Sequence, residues 1–388
     1  MRSHGAMNRV YRLVWSATHQ IWVAVSEICS SAGRAASSCA QAAALLVASA
    51  IATGAFAAPT GGQVVSGDAT ISQTGNSGQS TTTINQTSQV AKLQWQSFNV
   101  GSGETVNFVQ PSSTALAVNR ILDTQGSHIM GRVNANGQVW LINPNGVLFG
   151  RGAQINVGGL VASTLDAQGA GSANPVFSGN STAAVENQGS LQSANGGYIA
   201  LIAQKVNNQG DIRTPSGSAV FGAGSTVRLN MSDNRLLSVE VQQNQLDALA
   251  ANSGLIQADG GQVLMSAGAR DSLLASAVNN IGIVQARTVG SHAGKIILLG
   301  GMAAGKTDVS GTLDASAPNG GDGGFIETSA GAVNVREQAV VTTLAPQGQT
   351  GNWLIDPIDF EVNSSNVSAL STALRANNLT IHTENTGC

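Results

Sequence analysis

The sequence predicts an all-β chain: a right-handed parallel β-helix with an N-terminal cap and short elements outside the coil. Three observations predict it. The composition is rich in turn formers and short of the charged residues that favour surface helices, with 47 Gly and 10% charged residues. The apolar runs are short, β-branched and bounded by Gly or Asn, so they read as strands. A phrase of the form Asn-x-Gly-x-Leu/Ile recurs along the chain, which is the signature of stacked structural repeats. The chain is 42% apolar, which is not a disordered composition, and its net charge of −3 carries no nucleic-acid footprint.

The first 58 residues read as a targeting segment, and residues 59–388 as the folded part. Ala40–Ala57 is apolar and Ala-rich, and it ends in Ala55-Phe56-Ala57, a small-x-small cleavage pattern followed by Ala58 and Pro59. Arg9, Arg12 and Arg34 supply the upstream positive charge. A transmembrane helix is the competing reading. The run is weakly hydrophobic and a cleavage site follows at once, which favours a signal peptide. Cys29 and Cys39 lie in this leader, so only Cys388 remains and no disulfide framework is expected.

Pro59–Ile84 opens with Gln63-Val64-Val65 and Ala69-Thr70-Ile71, first strands suited to capping a solenoid, whose open end exposes core and strand edges. Ala91–Val109 adds strands around Trp95, Phe98, Val106 and Phe108. In Asn134–Gly159 three runs follow in quick succession: Val139–Ile142, Val147–Phe149 and Ile155–Val157. Between the first two lies Asn143-Pro144-Asn145-Gly146. Pro presets φ at the second turn position, Asn at the first bonds its own backbone, and Gly suits the fourth, so a tight turn is expected.

Beyond Gly158 the repeat appears. Asn187-Gln-Gly189-Ser-Leu191 is echoed by Asn252-Ser-Gly254-Leu-Ile256, more weakly by Val309-Ser-Gly311-Thr-Leu313, and by half-copies at Asn208 and Asn280. An antiparallel sandwich would show frequent turns without such a phrase. Gly and Asn are expected at corners that need left-handed backbone. At ~20 residues per rung and ~4.8 Å between rungs, the rod would be on the order of 70 Å long. Two segments break the pattern and read as short helices: Gln243–Ala251, and Ser365–Asn377 with Val367, Leu370 and Leu374 on one face behind a Ser cap.

Candidate chemistry is sparse. Gly300–Thr307 matches a phosphate-binding loop, but strand and corner sequence follows where a helix is required. Gly320–Gly324 has one Asp, too few oxygens for calcium, and reads as a corner. Asp259 and Asp322 precede Gly pairs and could stack on one side as in a carbohydrate-cleaving β-helix, yet no basic partner is evident at matching positions. His128, His292 and His382 show no metal-ligand spacing and read as incidental. No catalytic residue, cofactor or metal is expected.

Asn143-Pro144-Asn145-Gly146-Val147 resembles the asparagine-proline motif of the secretion domain of two-partner secretion exoproteins, the group of the filamentous haemagglutinins and high-molecular-weight adhesins. Ser97–Gly101, Val118–Ile121, Gly159–Thr164, Gly324–Ser329 and Trp353–Pro357 resemble further segments of that family. Met7–Trp15 and Trp22–Glu27 resemble the extended signal-peptide region of very large exported bacterial proteins, which implies a start at Met7. Many members carry a second Asn-Pro-Asn motif earlier; here none precedes Asn143. The resemblance implies a haemagglutination-activity-type domain without catalysis. It implies export by the Sec translocon into a Gram-negative periplasm, and an outer-membrane transporter with periplasmic domains as partner. The motif Asn143–Gly146 is then the expected recognition and secretion element, and the cell surface or medium the destination. Cell adhesion and virulence are the expected roles, with a host-cell surface or glycan met by regions beyond this chain. The ending Asn385–Cys388 reads as a cut, with the effector function expected beyond residue 388. A polysaccharide-acting enzyme, or the export end of a cytolysin or contact-dependent toxin, are the alternatives.

Overall fold

The computed structural model describes residues 11–16, 21–26, 58–232, 235–242, 248–268 and 277–383. They belong to two units, Met1–Gly54 and Ala55–Cys388. In the first, Tyr11–Ser16 and Ile21–Ser26 pair as an antiparallel hairpin. The run Ala40–Ala57, with Ala55 and Ala57, and all three cysteines lie outside the described residues; Ala58 is described and buried. No described helix is long and apolar enough to cross a membrane.

The second unit is a parallel β-helix. Each short strand pairs in register with the strand one turn before and one turn after. One inward column runs Val106, Val133, Ile155, Leu191, Ile212, Ile256. A second runs Val139, Leu160, Ile199, Ala219, Val263, Ile296. A third, in the eight-stranded sheet, runs Val147, Val185, Val206, Ala250, Val278. All three columns are buried in one continuous core. No rung can bury its apolar face alone, so stacking neighbours supplies the stability.

The predicted cap is present. Gln63–Ser66 pairs antiparallel with Val90–Trp95, and Ala69–Thr74 with Thr81–Gln86. Val64 and Ile71 pack against the core. Outside the coil, Asp166–Gln168, Val176–Ser178, Thr226–Ser232 and Arg235–Val241 form a four-stranded antiparallel sheet. Under it lies a second apolar cluster with Trp140, Phe177, Tyr198 and Val227. Trp140 Nε1 donates to Tyr198 Oη at 2.9 Å, and Tyr198 Oη donates to Gln138 Oε1 at 2.6 Å. Burial pushes the Tyr198 pKa up, the Trp140 hydrogen bond opposing it, so the phenol stays a neutral donor.

The repeated asparagines occupy one inward column. Asn187 Nδ2 donates to Asn208 Oδ1 at 2.7 Å, Asn208 to Asn252 and Asn252 to Asn280 at 2.8 Å each. All four are at most 1% exposed. Phe149 precedes them in the column and Val309 follows. The steps between them are 21, 44 and 28 residues.

Several expectations change. The rungs are longer than predicted, most of all between Ile155 and Leu191 and between Ile212 and Ile256, where the outer sheet's strands are inserted. Twelve strands from Gln63–Ser66 to Asn378–Ile381 stack in the longest column. Eleven steps of ~4.8 Å give about 53 Å, not 70 Å. The glycines of the repeated phrase do not adopt left-handed φ. They permit close stacking instead: a Cβ on Gly254 would lie 2.1 Å from the Gly210 carbonyl oxygen, and one on Gly210 2.2 Å from that of Gly189.

Leu249–Ala251, expected to end a helix, lies in the strand Leu249–Asn252 of the eight-stranded sheet, because Ala250 and Asn252 fill inward columns; residues 243–247 lie outside the described residues. Val367–Ala373 is helical as expected, but Asn366, not Ser365, is its N-cap, without a side-chain cap bond. Its buried face is Ala369, Leu370 and Ala373, while Val367 and Leu374 are exposed.

Candidate functional site: the asparagine-proline corner

Asn143 ends the strand Gln138–Ile142 and continues its ladder by donating its N–H to Ser163 O at 2.9 Å. The chain then reverses. Gly146 N donates to Asn143 O at 3.0 Å, closing the predicted tight turn, and Asn143 Oδ1 accepts Asn145 N at 2.9 Å. Gly146 has φ of +112°, a conformation that L side chains rarely adopt.

The corner is tied to its neighbouring rungs. Below it, Asn143 Nδ2 donates to Gln125 O at 3.1 Å and to Ser127 Oγ at 3.0 Å. Asn145 Nδ2 donates to Asp123 O at 2.7 Å, and Ser127 N to Gly146 O at 2.9 Å. Above it, Ser181 Oγ donates to Pro144 O at 2.5 Å. Asn143 is fully buried, Pro144 half-buried and Asn145 exposed. In the folded domain, then, Pro144 and Asn145 are the motif's accessible side chains, while Asn143 acts inward.

The segments upstream converge beneath it. Val100 bridges to Ile129, which pairs with Phe149 one strand beyond the corner. Trp95 donates from Nε1 to Asn119 Oδ1 at 2.9 Å, and the Asn119 amide reaches Trp140 O at 3.3 Å. Sequence reasoning did not single out Asp123, Gln125, Ser127 or Ser181. They lie 22, 18, 16 and 37 residues from their partners in the motif, so no single period in the sequence points to them.

The other candidates resolve as structure. Lys306 opens the strand Lys306–Val309, so the phosphate-loop pattern lacks its helix. Gly320 and Gly321 take positive φ as a corner, and Asp322 Oδ1 accepts Gln349 N at 2.8 Å. Asp259 does have a basic partner, contrary to expectation: Arg287 Nη2 lies 2.6 Å from its Oδ2. Burial would raise the Asp259 pKa, but hydrogen bonds from Arg287 and Gln257 outweigh it and hold the carboxyl below its usual range. That shift suits a structural ion pair rather than a proton donor. His382 pairs with Asp356 at 2.8 Å, and His292 bridges to Val289 through backbone. Among the described residues no group of three or more His, Cys, Asp or Glu could hold a metal.

Residues 55–315 match the model of the TPS secretion domain. The chain belongs to this family. Residues 7–56 match the extended signal peptide of type V secretion systems. The secretion domain shares its fold with the crystal structure of the HMW1 secretion domain from Haemophilus influenzae, with a TM-score of 0.66, 24% identity and 84% of each chain covered. A heme/hemopexin-binding protein of H. influenzae strain Rd is 33% identical over 250 residues, 62% of this chain and 27% of the relative. A second heme/hemopexin-binding protein of that species is 30% identical over 245 residues, 56% of this chain and 26% of the relative. The chain thus matches about a quarter of the length of these relatives. With its signal extension, the secretion domain is exported through Sec and secreted by the two-partner route. Its family is one of secretion domains, not of enzymes.

Proposed function

We propose that Asn143–Gly146 is the folding nucleus on which recognition and release by the outer-membrane transporter depend. The observation that carries this reading is the buried Asn143 amide, which ties its own turn to Gln125 and Ser127 on the rung below. A motif used only as a contact surface would present that side chain outward.

In this reading, residues 1–58 direct Sec export and 59–388 cross the outer membrane. The unfolded chain meets the periplasmic domains of the transporter by strand addition, since its strands still have free edges. As the corner emerges it fixes one rung, and each later rung folds on the one before. A folded rung cannot re-enter the pore, so folding outside biases transport forward without ATP. The domain itself is non-catalytic. The full protein is an adhesin- or haemagglutinin-like exoprotein whose ligand, on a host surface or otherwise, is met by other regions.

The test is expression of Met7–Cys388 in a Gram-negative host with and without the cognate transporter. The parent is expected in the medium only with the transporter, and a chain with Asn143–Gly146 replaced by alanines is expected to stay in the periplasm. Undiminished release of the alanine variant removes the proposal.

A further inference from the structure

Outward from the coil, side chains stack in columns as regularly as the core does inside it. One such column begins Thr83, Asn107, Asn134, Asn156. Over these four rungs lies a shallow trough of about 510 Å³, lined with them by Val109 and Asn136. None of its lining residues is charged.

The hydrogen-bonding capacity of the trough is largely unspent. Asn134 Nδ2 donates to Asn107 Oδ1 at 3.0 Å, which leaves the Asn107 NH₂ and the Asn134 carbonyl oxygen available. Among the described residues, the Thr83 hydroxyl and the Asn156 amide have no partner. Asn136, by contrast, is locked: it donates to Gln110 O at 2.7 Å and accepts Gln110 N at 2.8 Å. It makes a rigid wall. Val109, 52% exposed, adds an apolar strip.

An amide offers donor and acceptor together, so each rung can meet a group that is itself both. Hydroxyls are such groups. Anions would demand Arg or Lys, which the lining lacks. Sugar rings present hydroxyl edges and an apolar C–H face, which match the amide column and Val109. Three steps of ~4.8 Å give a site about 14 Å long, the reach of a short oligosaccharide. Cleavage would need a carboxylate pair, and no Asp or Glu lines the trough.

We infer that this trough binds a neutral oligosaccharide along the coil axis, through Asn107, Asn134 and Asn156. The inference stands independently of the secretion reading, because the trough lies apart from the Asn143 corner's contacts.

The test uses the folded full chain and isothermal titration with four probes: glucose and N-acetylglucosamine tetrasaccharides, a heparin tetrasaccharide, and an extended Ser/Thr peptide. Saturable binding of a neutral tetrasaccharide is expected. Asn134→Ala/Asn156→Ala should weaken it about tenfold or more, the loss of one or two hydrogen bonds. Gln285→Ala, in the same column but outside the trough, should leave affinity unchanged. The double variant, which loses the Asn134–Asn107 hydrogen bond, should still fold cooperatively and be secreted like the parent. The inference is overturned if neither neutral tetrasaccharide binds, if the heparin or peptide probe binds more tightly, or if the double variant binds like the parent.

Discussion

Asn143 and Asn208 are both asparagines with no exposed surface, yet they are held in different ways. Asn208 is one member of a uniform ladder, accepting from Asn187 and donating to Asn252. Asn143 stands alone, and its partners are three unlike groups: its own turn, a loop carbonyl and a serine hydroxyl. A ladder can be lengthened or replaced as a unit. A corner cannot, since its neighbours were chosen for it alone. The difference predicts that ladder changes alter stability only, whereas corner changes alter secretion beyond what stability explains.

The largest expected effect comes from the glycines that let the ladder close. Gly254→Ala places a Cβ 2.1 Å from Gly210 O, a backbone atom that cannot swing aside. The variant should lose more than about 4 kcal/mol or fail to fold, as read by chemical denaturation. Tolerance of this change would mean that adjacent rungs are not held at this spacing. Next is Asn208→Leu, which strands the Asn187 donor and the Asn252 acceptor in the core and should cost about 3 kcal/mol. Replacing Asn208, Asn252 and Asn280 together with Asn187 by Leu or Val should recover part of that loss, because no side-chain amide is then left unpaired and only the Gly189 N–H, which donates to Asn187 Oδ1, loses its acceptor. Val309 and Val335 already occupy the same column. If the quadruple variant is worse than the single one, the ladder does more than satisfy itself.

Asn143→Ala should cost about 2 kcal/mol, since the turn remains and water can reach the exposed Asn145 side. The informative quantity is secretion at matched stability. Asn143→Ala should release less protein than an equally destabilised ladder variant, measured as partner-dependent accumulation in the medium. Equal release at equal stability would reduce the corner to one more stabilising contact.

These contrasts explain what the sequence could disclose. The coil was legible because Val, Ile and Leu at short intervals and a repeated Asn-x-Gly phrase leave a periodic trace. The turn at Asn143 was legible because its chemistry is local, spanning four residues. Its partners were not, since Gln125 and Ser181 carry no pattern and reach the corner only through the stacking of rungs. The outer four-stranded sheet was missed for a related reason. Its strands lie among coil strands in sequence, and Val227 and Leu229 face Trp140 across a layer that no local period encodes. It also lengthened two rungs, from Ile155 to Leu191 and from Ile212 to Ile256, beyond the estimate of ~20 residues each. The Leu249 strand was misread because spaced leucines look helical when the inward columns are unknown.

The smallest effect separates charge from amide. Asp259 and Arg287 bridge successive rungs on the outside, with side chains 20% and 33% exposed, and a pair so placed contributes below about 1 kcal/mol. The Asp259 carboxyl is held below its usual pKa. Its contribution is therefore fully present above the unfolded value near 3.9 and fades as pH falls through the lower folded value. The Asn208 ladder has no titrating group. Unfolding free energies measured from pH 7 downward should show the gap between parent and Asp259→Asn closing in acid, while the gap between parent and Asn208→Leu stays constant. A ladder gap that also closed would show that rung stacking around Asn208 depends on a charge elsewhere in the coil, and the two modes of cross-rung bonding would no longer be independent.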